Sequence, residues 1–144
     1  MPLRWVLCLI AGVLTLRAQP ATESGANISC IDRLIVPNYP ALAKAARVAA
    51  DVTVSVLVGR DSASHQIRTQ VEKPHGDIIR LFSERVEKAV RSSTFNHQCV
   101  GKTMELVFNF ELGDDMPVEG SKQTVSFSYP NRFTITTTAD LVQR

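Results

Sequence analysis

The sequence predicts an α+β fold, an antiparallel sheet with two helices packed on one face and a C-terminal β-hairpin appended. Three observations carry this. Val52 to Val58 and Leu106 to Phe110 alternate with period two, as strands with one buried face do. Between them, Ile79, Phe82, Val86, Ala89 and Val90 recur at helical spacing. After them, Val125, Phe127 and Tyr129, then Phe133 and Ile135, alternate with Ser or Thr on either side of the turn Pro130-Asn131.

In chain order, residues 1–18 read as a signal peptide. Arg4 supplies the positive start, and Trp5 to Leu16 is an apolar run too short to span a bilayer as a helix. Cleavage after Ala18 fits the small-residue preference, and Ala21 is a second position. Cys8 lies inside the apolar run behind Leu7, unlike a lipid-attachment cysteine. Residues 19–27 form a short polar lead-in, ending at Asn27-Ile28-Ser29, a glycosylation acceptor only in a eukaryotic secretory route. Export to the periplasm or outside the cell is therefore expected.

The charge balance narrows the partners. The chain has 16 Lys and Arg against 14 Asp and Glu, and loss of Arg4 and Arg17 with the leader leaves 14 against 14. A neutral domain with no basic stripe is not built to bind nucleic acid. Of three cysteines, Cys30 and Cys99 remain after the leader, an even pair that in an exported chain favours a disulfide. Such a bond closes a loop of about 70 residues, worth roughly 4 kcal/mol by chain entropy. The competing use of these cysteines, a metal site with His97, has no second spaced ligand pair behind it.

Ile28, Ile31, Leu34, Ile35 and Val36 make an extended segment that packs on the core. Pro40 opens a short helix, since its fixed φ suits a first turn, with Leu42, Ala45, Ala46 and Ala49 on one face. The strand from Val52 leads through the turn-rich Gly59 to Ser64 into a second arm with Ile67, Thr69 and Val71. Pro74-His75-Gly76 ends that arm, and Asp77 places a negative group at the start of the long helix. On the wet face of this helix, Glu84/Lys88 and Glu87/Arg91 stand four apart in the favourable orientation. The loop from Gly113 to Gly120 separates the last core strand from the hairpin extension, residues 113–144.

The order Tyr39-Pro40 helix start, hairpin, helix ending in Ala89-Val90, Phe95 and a further alternating strand resembles the C-terminal domain of the energy transducer TonB, over residues 28–112. Two positions depart from that family's pattern. Ser93 stands where its Trp-x-Phe step has tryptophan, and Ala50 appears where a glycine commonly precedes the first long strand. The resemblance implies a non-enzymatic module that binds a protein or peptide strand, such as a segment of an outer-membrane receptor, by adding it to an exposed edge. It places that edge on the strand after the long helix, at Thr103, Glu105, Val107, Asn109 and Glu111. The appended hairpin would then cover this edge with Val125 to Tyr129 and offer its own outer strand, Phe133, Thr134, Ile135 and Thr136.

Catalytic chemistry lacks its parts. There is no Gly-rich phosphate cradle, H-E-x-x-H or C-x-x-C, and Ser92 and Ser93 lack the glycines of a nucleophile elbow. Asp114-Asp115 lacks the spaced ligands of a calcium loop. His65, His75 and His97 fall in turns, where solvation is the simplest expectation. No catalytic residues, metal ligands or cofactor are expected. The alternative to strand capture is an envelope assembly protein that oligomerises through its sheet.

Overall fold

The computed structural model describes residues 28–73, 76–113 and 123–138. The expected signal peptide and its cleavage positions, the expected lead-in, His75 and the segment carrying Asp114-Asp115 lie outside the described residues. The elements are β1 (Ile31–Arg33), α1 (Ala41–Ala45), β2 (Ala50–Leu57), β3 (Gln66–Lys73), α2 (Ile78–Arg91), β4 (Thr94–Phe95), β5 (Thr103–Gly113), β6 (Thr124–Ser128) and β7 (Arg132–Thr138). Five strands form one sheet in the order β3-β2-β5-β7-β6, and β1 pairs with β4 separately. The fold class is α+β, as the sequence predicts. Among the described residues no helix is long and apolar enough to cross a membrane.

The core follows from the alternation. Val52, Val54 and Val56 face inward and stand opposite Phe108, Leu106 and Met104 of β5. Over this face lies α2, which buries Phe82, Val86, Ala89 and Val90 against β2 and β3. Complete burial of each large side chain contributes roughly 1.5–3 kcal/mol. Tyr39 closes the far end of the layer. Its ring meets Phe110 edge-on at 5.6 Å and Phe82 at 6.0 Å, and its hydroxyl donates to the Val48 carbonyl at 2.7 Å. Burial pushes this phenol up to about 12.

The first helix differs from the expected one. It spans only Ala41–Ala45, Leu42 is 69% exposed, and Ala43 is the buried residue. Tyr39 and Pro40 already occupy the inward positions, and the small Ala43 lets the helix backbone approach the core. The helix ends in a Schellman arrangement, with Val48 N–H donating to Ala43 O at 2.9 Å and Arg47 N–H to Lys44 O at 3.1 Å. The left-handed residue this requires is Arg47, at φ 55°, while Ala50 is a buried strand residue opposite Phe110.

The helix-surface pairing also differs. Glu84 meets Arg80 at 3.4 Å, one turn N-terminal rather than C-terminal, and Glu87 accepts a hydrogen bond from Thr69 of β3 at 2.8 Å. Asp77 makes no side-chain cap hydrogen bond. Ser93 is fully buried and stitches two segments together. Its hydroxyl donates to Ala89 O at 2.9 Å and accepts from Ile35 N–H at 2.9 Å. A hydrogen-bonded hydroxyl thus fastens the N-terminal segment to the end of α2.

The expected disulfide is present. Cys30 and Cys99 are bonded, with Cα atoms 5.7 Å apart and a sequence separation of 69. Beside it, Asn96 N–H donates to Cys30 O at 2.8 Å. Replacing Cys99 by Ala is expected to lower unfolding stability by roughly 2–5 kcal/mol, read from the denaturant midpoint. Ser93→Ala leaves the part-buried Ile35 N–H without its acceptor and is expected to cost about 1 kcal/mol in the same measurement.

Candidate functional site

β5 is not an edge. From Thr103 to Phe110 it pairs antiparallel with β2, and from Val107 to Gly113 it pairs with β7 on its other side. Val107 and Asn109 are therefore interior to the sheet, and Glu111, past the end of the β2 pairing, stands opposite Thr136 of β7. Thr103 and Glu105 lie beyond the start of β7. There Asn131 stops the Glu105 carbonyl with its side-chain amide at 3.2 Å and takes the Val107 N–H on its own carbonyl at 3.0 Å.

The appended hairpin does lie along β5, but in the opposite order to the one expected. β7 is the inner strand and runs parallel to β5, with Phe108 opposite Phe133 and Phe110 opposite Ile135. Phe133, Thr134, Ile135 and Thr136 consequently form no outer strand, and Phe133 and Ile135 are buried. β7 contributes a longer inward row, Phe133, Ile135 and Thr137, than β6 does, which favours β7 as the inner strand.

The sheet's two edges are thus β3 and β6, and their chemistry differs. β3 carries Arg68, Glu72 and Lys73, exposed charges of the kind that discourage edge pairing. β6 reads Thr124-Val125-Ser126-Phe127-Ser128, followed by Tyr129, with no charge and no proline before Pro130. Every β6 residue is exposed, and among the described residues no strand pairs with its outer side. Val125 stands opposite Ile135 and Phe127 opposite Phe133, so both lie on the helix-covered face, yet the helices stop short of them and each remains 45% exposed. The rings of Phe127 and Phe133 are 4.9 Å apart. On the bare face, Thr124, Ser126 and Ser128 present hydroxyls.

The N-terminal end of this edge is held in place. Gln123, the residue before β6, accepts the Tyr39 N–H at 3.0 Å and donates to Pro37 O at 3.5 Å. The edge strand therefore starts from a fixed point on the segment that carries the buried tyrosine. Such an edge can accept a strand through main-chain hydrogen bonds, with apolar contacts on one face and hydroxyls on the other.

The described histidines divide. His97 is exposed, and His65, expected in solvent, is only 5% exposed. Its Nδ1 accepts the Gly59 N–H at 2.8 Å and its ring stands edge-on to Phe95 at 4.8 Å. The turn before it is closed by a reciprocal box between Asp61 and Ser64. A Cβ on Gly59 would lie 2.6 Å from the Ser64 carbonyl carbon, so glycine is required at this close approach. No run of apolar residues surrounds His65 in sequence, and for that reason its burial was not legible. Among the described residues no three His, Cys, Asp or Glu side chains gather to hold a metal ion.

No family model matches the chain, and no significant match emerges among curated proteins or solved structures.

Burial holds the His65 pKa below its ordinary value; Asp61 opposes this shift and Arg91 reinforces it. A folded-state pKa below the unfolded one means that the neutral ring's contribution is complete above about pH 6.5. That contribution is lost as pH falls from there toward the folded value. Stability should decline with acidification through this window, and His65→Gln should flatten the decline in urea melts at stepped pH. An unchanged slope in the variant would remove His65 as the cause.

Proposed function

We propose that the chain is an exported, non-enzymatic binding module that takes up a protein or peptide strand along the outer side of β6. The observation carrying this reading is the contrast between the edges. β3 is charged, whereas β6 is uncharged, carries the half-exposed Val125 and Phe127, and has an outer side open among the described residues. An unprotected β-prone edge is a hazard in a protein with no use for it. The Cys30–Cys99 bond fits an oxidising compartment. The resemblance to the TonB C-terminal domain supports strand addition as the mode, with an extended segment of an outer-membrane receptor as one partner of suitable chemistry. Relative to the edge that resemblance implies, the accepting strand has moved outward by two positions, from β5 to β6.

The partner expected is an extended, uncharged segment with apolar side chains at every second position, which meet Val125 and Phe127 while the intervening ones meet Ser126. Titrating such a peptide into the exported protein should shift backbone amide resonances along Gln123 to Tyr129. Phe127→Lys should weaken binding at least tenfold, roughly 1.4 kcal/mol or more, while Gln70→Lys on β3 leaves it unchanged. Shifts confined to β3 or α2 would refute the assignment.

A further inference from the structure

We infer that the resting occupant of the β6 edge is a second copy of this chain, paired antiparallel with β6 about a two-fold axis through Ser126. This rests on the reading of β6 as a strand-accepting edge. The strand is complementary to itself in that register. Thr124 faces Ser128 of the second copy, Val125 faces Phe127, and Ser126 faces Ser126.

Because residues opposite one another share a face, the two-fold keeps apolar against apolar and hydroxyl against hydroxyl. On the helix-covered side, the row Phe108, Phe133, Phe127 continues into Val125 and Ile135 of the second copy, so the half-exposed Val125 and Phe127 of both chains are covered at once. No charge in either strand opposes the pairing. The β3 edge has no such fit, since joining two copies there takes Arg68, Glu72 and Lys73 of each out of water.

A seam of five residues is small beside the roughly 1,200 Å² at which stable interfaces begin. The dimer is therefore weak and displaceable, as a closure that yields to a partner must be. The result is an edge protected by self-pairing at high local concentration and opened by dilution or by a competing strand. The two-fold makes Ser126 its own neighbour, which gives a direct handle on the register.

The test uses sedimentation of the exported protein from micromolar to millimolar concentration. The wild type should pass from monomer to dimer. Ser126→Lys and Ser126→Glu should each stay monomeric, because each sets two like charges face to face, and an equimolar mixture of the two should pair again. Ser126→Cys should form an intermolecular disulfide, since directly opposed Cα atoms about 4.5–5.5 Å apart fall within disulfide reach. Gln70→Cys on the far edge supplies the rate of random collision. Position 126 lies on the bare face outside the core, so these variants leave packing intact. A wild type that is monomeric throughout, with Ser126→Cys linking no faster than Gln70→Cys, overturns the inference. So does a dimer that survives Ser126→Lys. Peptide-induced amide shifts along β6 in monomeric protein would leave strand capture standing while the second-copy assignment fails, so the two readings are separable.

Discussion

The register between β2 and β5 is the constraint on which the rest of the molecule depends. It sets Val52, Val54 and Val56 across from Phe108, Leu106 and Met104 with every one of these side chains inward. A slip by one residue would turn the whole row to water, so the two sequences fix one another. The platform they form receives α2 on one side of the centre and Tyr39 on the other. The Tyr39, Phe82 and Phe110 rings then lock the N-terminal segment, helix and sheet into one core. β7 is added to this platform through the same inward residues of β5, Phe108 and Phe110, now facing Phe133 and Ile135.

Elements whose own side chains carry a long apolar period were legible in the sequence. β2, α2 and β5 fall close to where alternation and helical spacing put them, and Cys30 and Cys99 are bonded as expected. Positions decided by tertiary competition were not. In α1 the candidates Leu42, Ala45, Ala46 and Ala49 have little to distinguish them from Ala43, and the preceding tyrosine fixed the helix rotation. The hairpin was visible as two alternating runs, but Val125/Phe127 and Phe133/Ile135 are equally apolar, so alternation alone does not say which strand sits inside. That ambiguity moved the candidate edge from β5 to β6. Polar residues buried by specific hydrogen bonds, His65 with Gly59 and Ser93 with Ala89 and Ile35, leave no periodic signal at all.

The edge chemistry shows how one sheet manages two exposed sides differently. β3 combines charged residues with an anchor to the helix, Thr69 to Glu87, and its part-buried Ile67 and Val71 pack inward. Among the described residues β6 has neither charge nor helix cover, and its start is anchored by the Gln123 contact with Pro37 and Tyr39. Its backbone pairs with β7, among the described residues with no other strand, and its side chains are divided cleanly into an apolar and a hydroxyl set.

The Cys30–Cys99 bond also sets how tension passes through the molecule. A pull applied at residues 28 and 138 crosses from Cys30 to Cys99 through sulfur, so the intervening segment with β1, α1, β2, β3, α2 and β4 carries none of the load in line. The force instead enters β5 at its Thr103 end and leaves β7 at its Thr138 end. Because these two strands run parallel, opposite ends are drawn apart and the hydrogen bonds between Val107/Arg132 and Gly113/Thr138 are sheared together rather than opened one at a time. A domain wired in this way resists stretching along its length while leaving its outer strand free of strain.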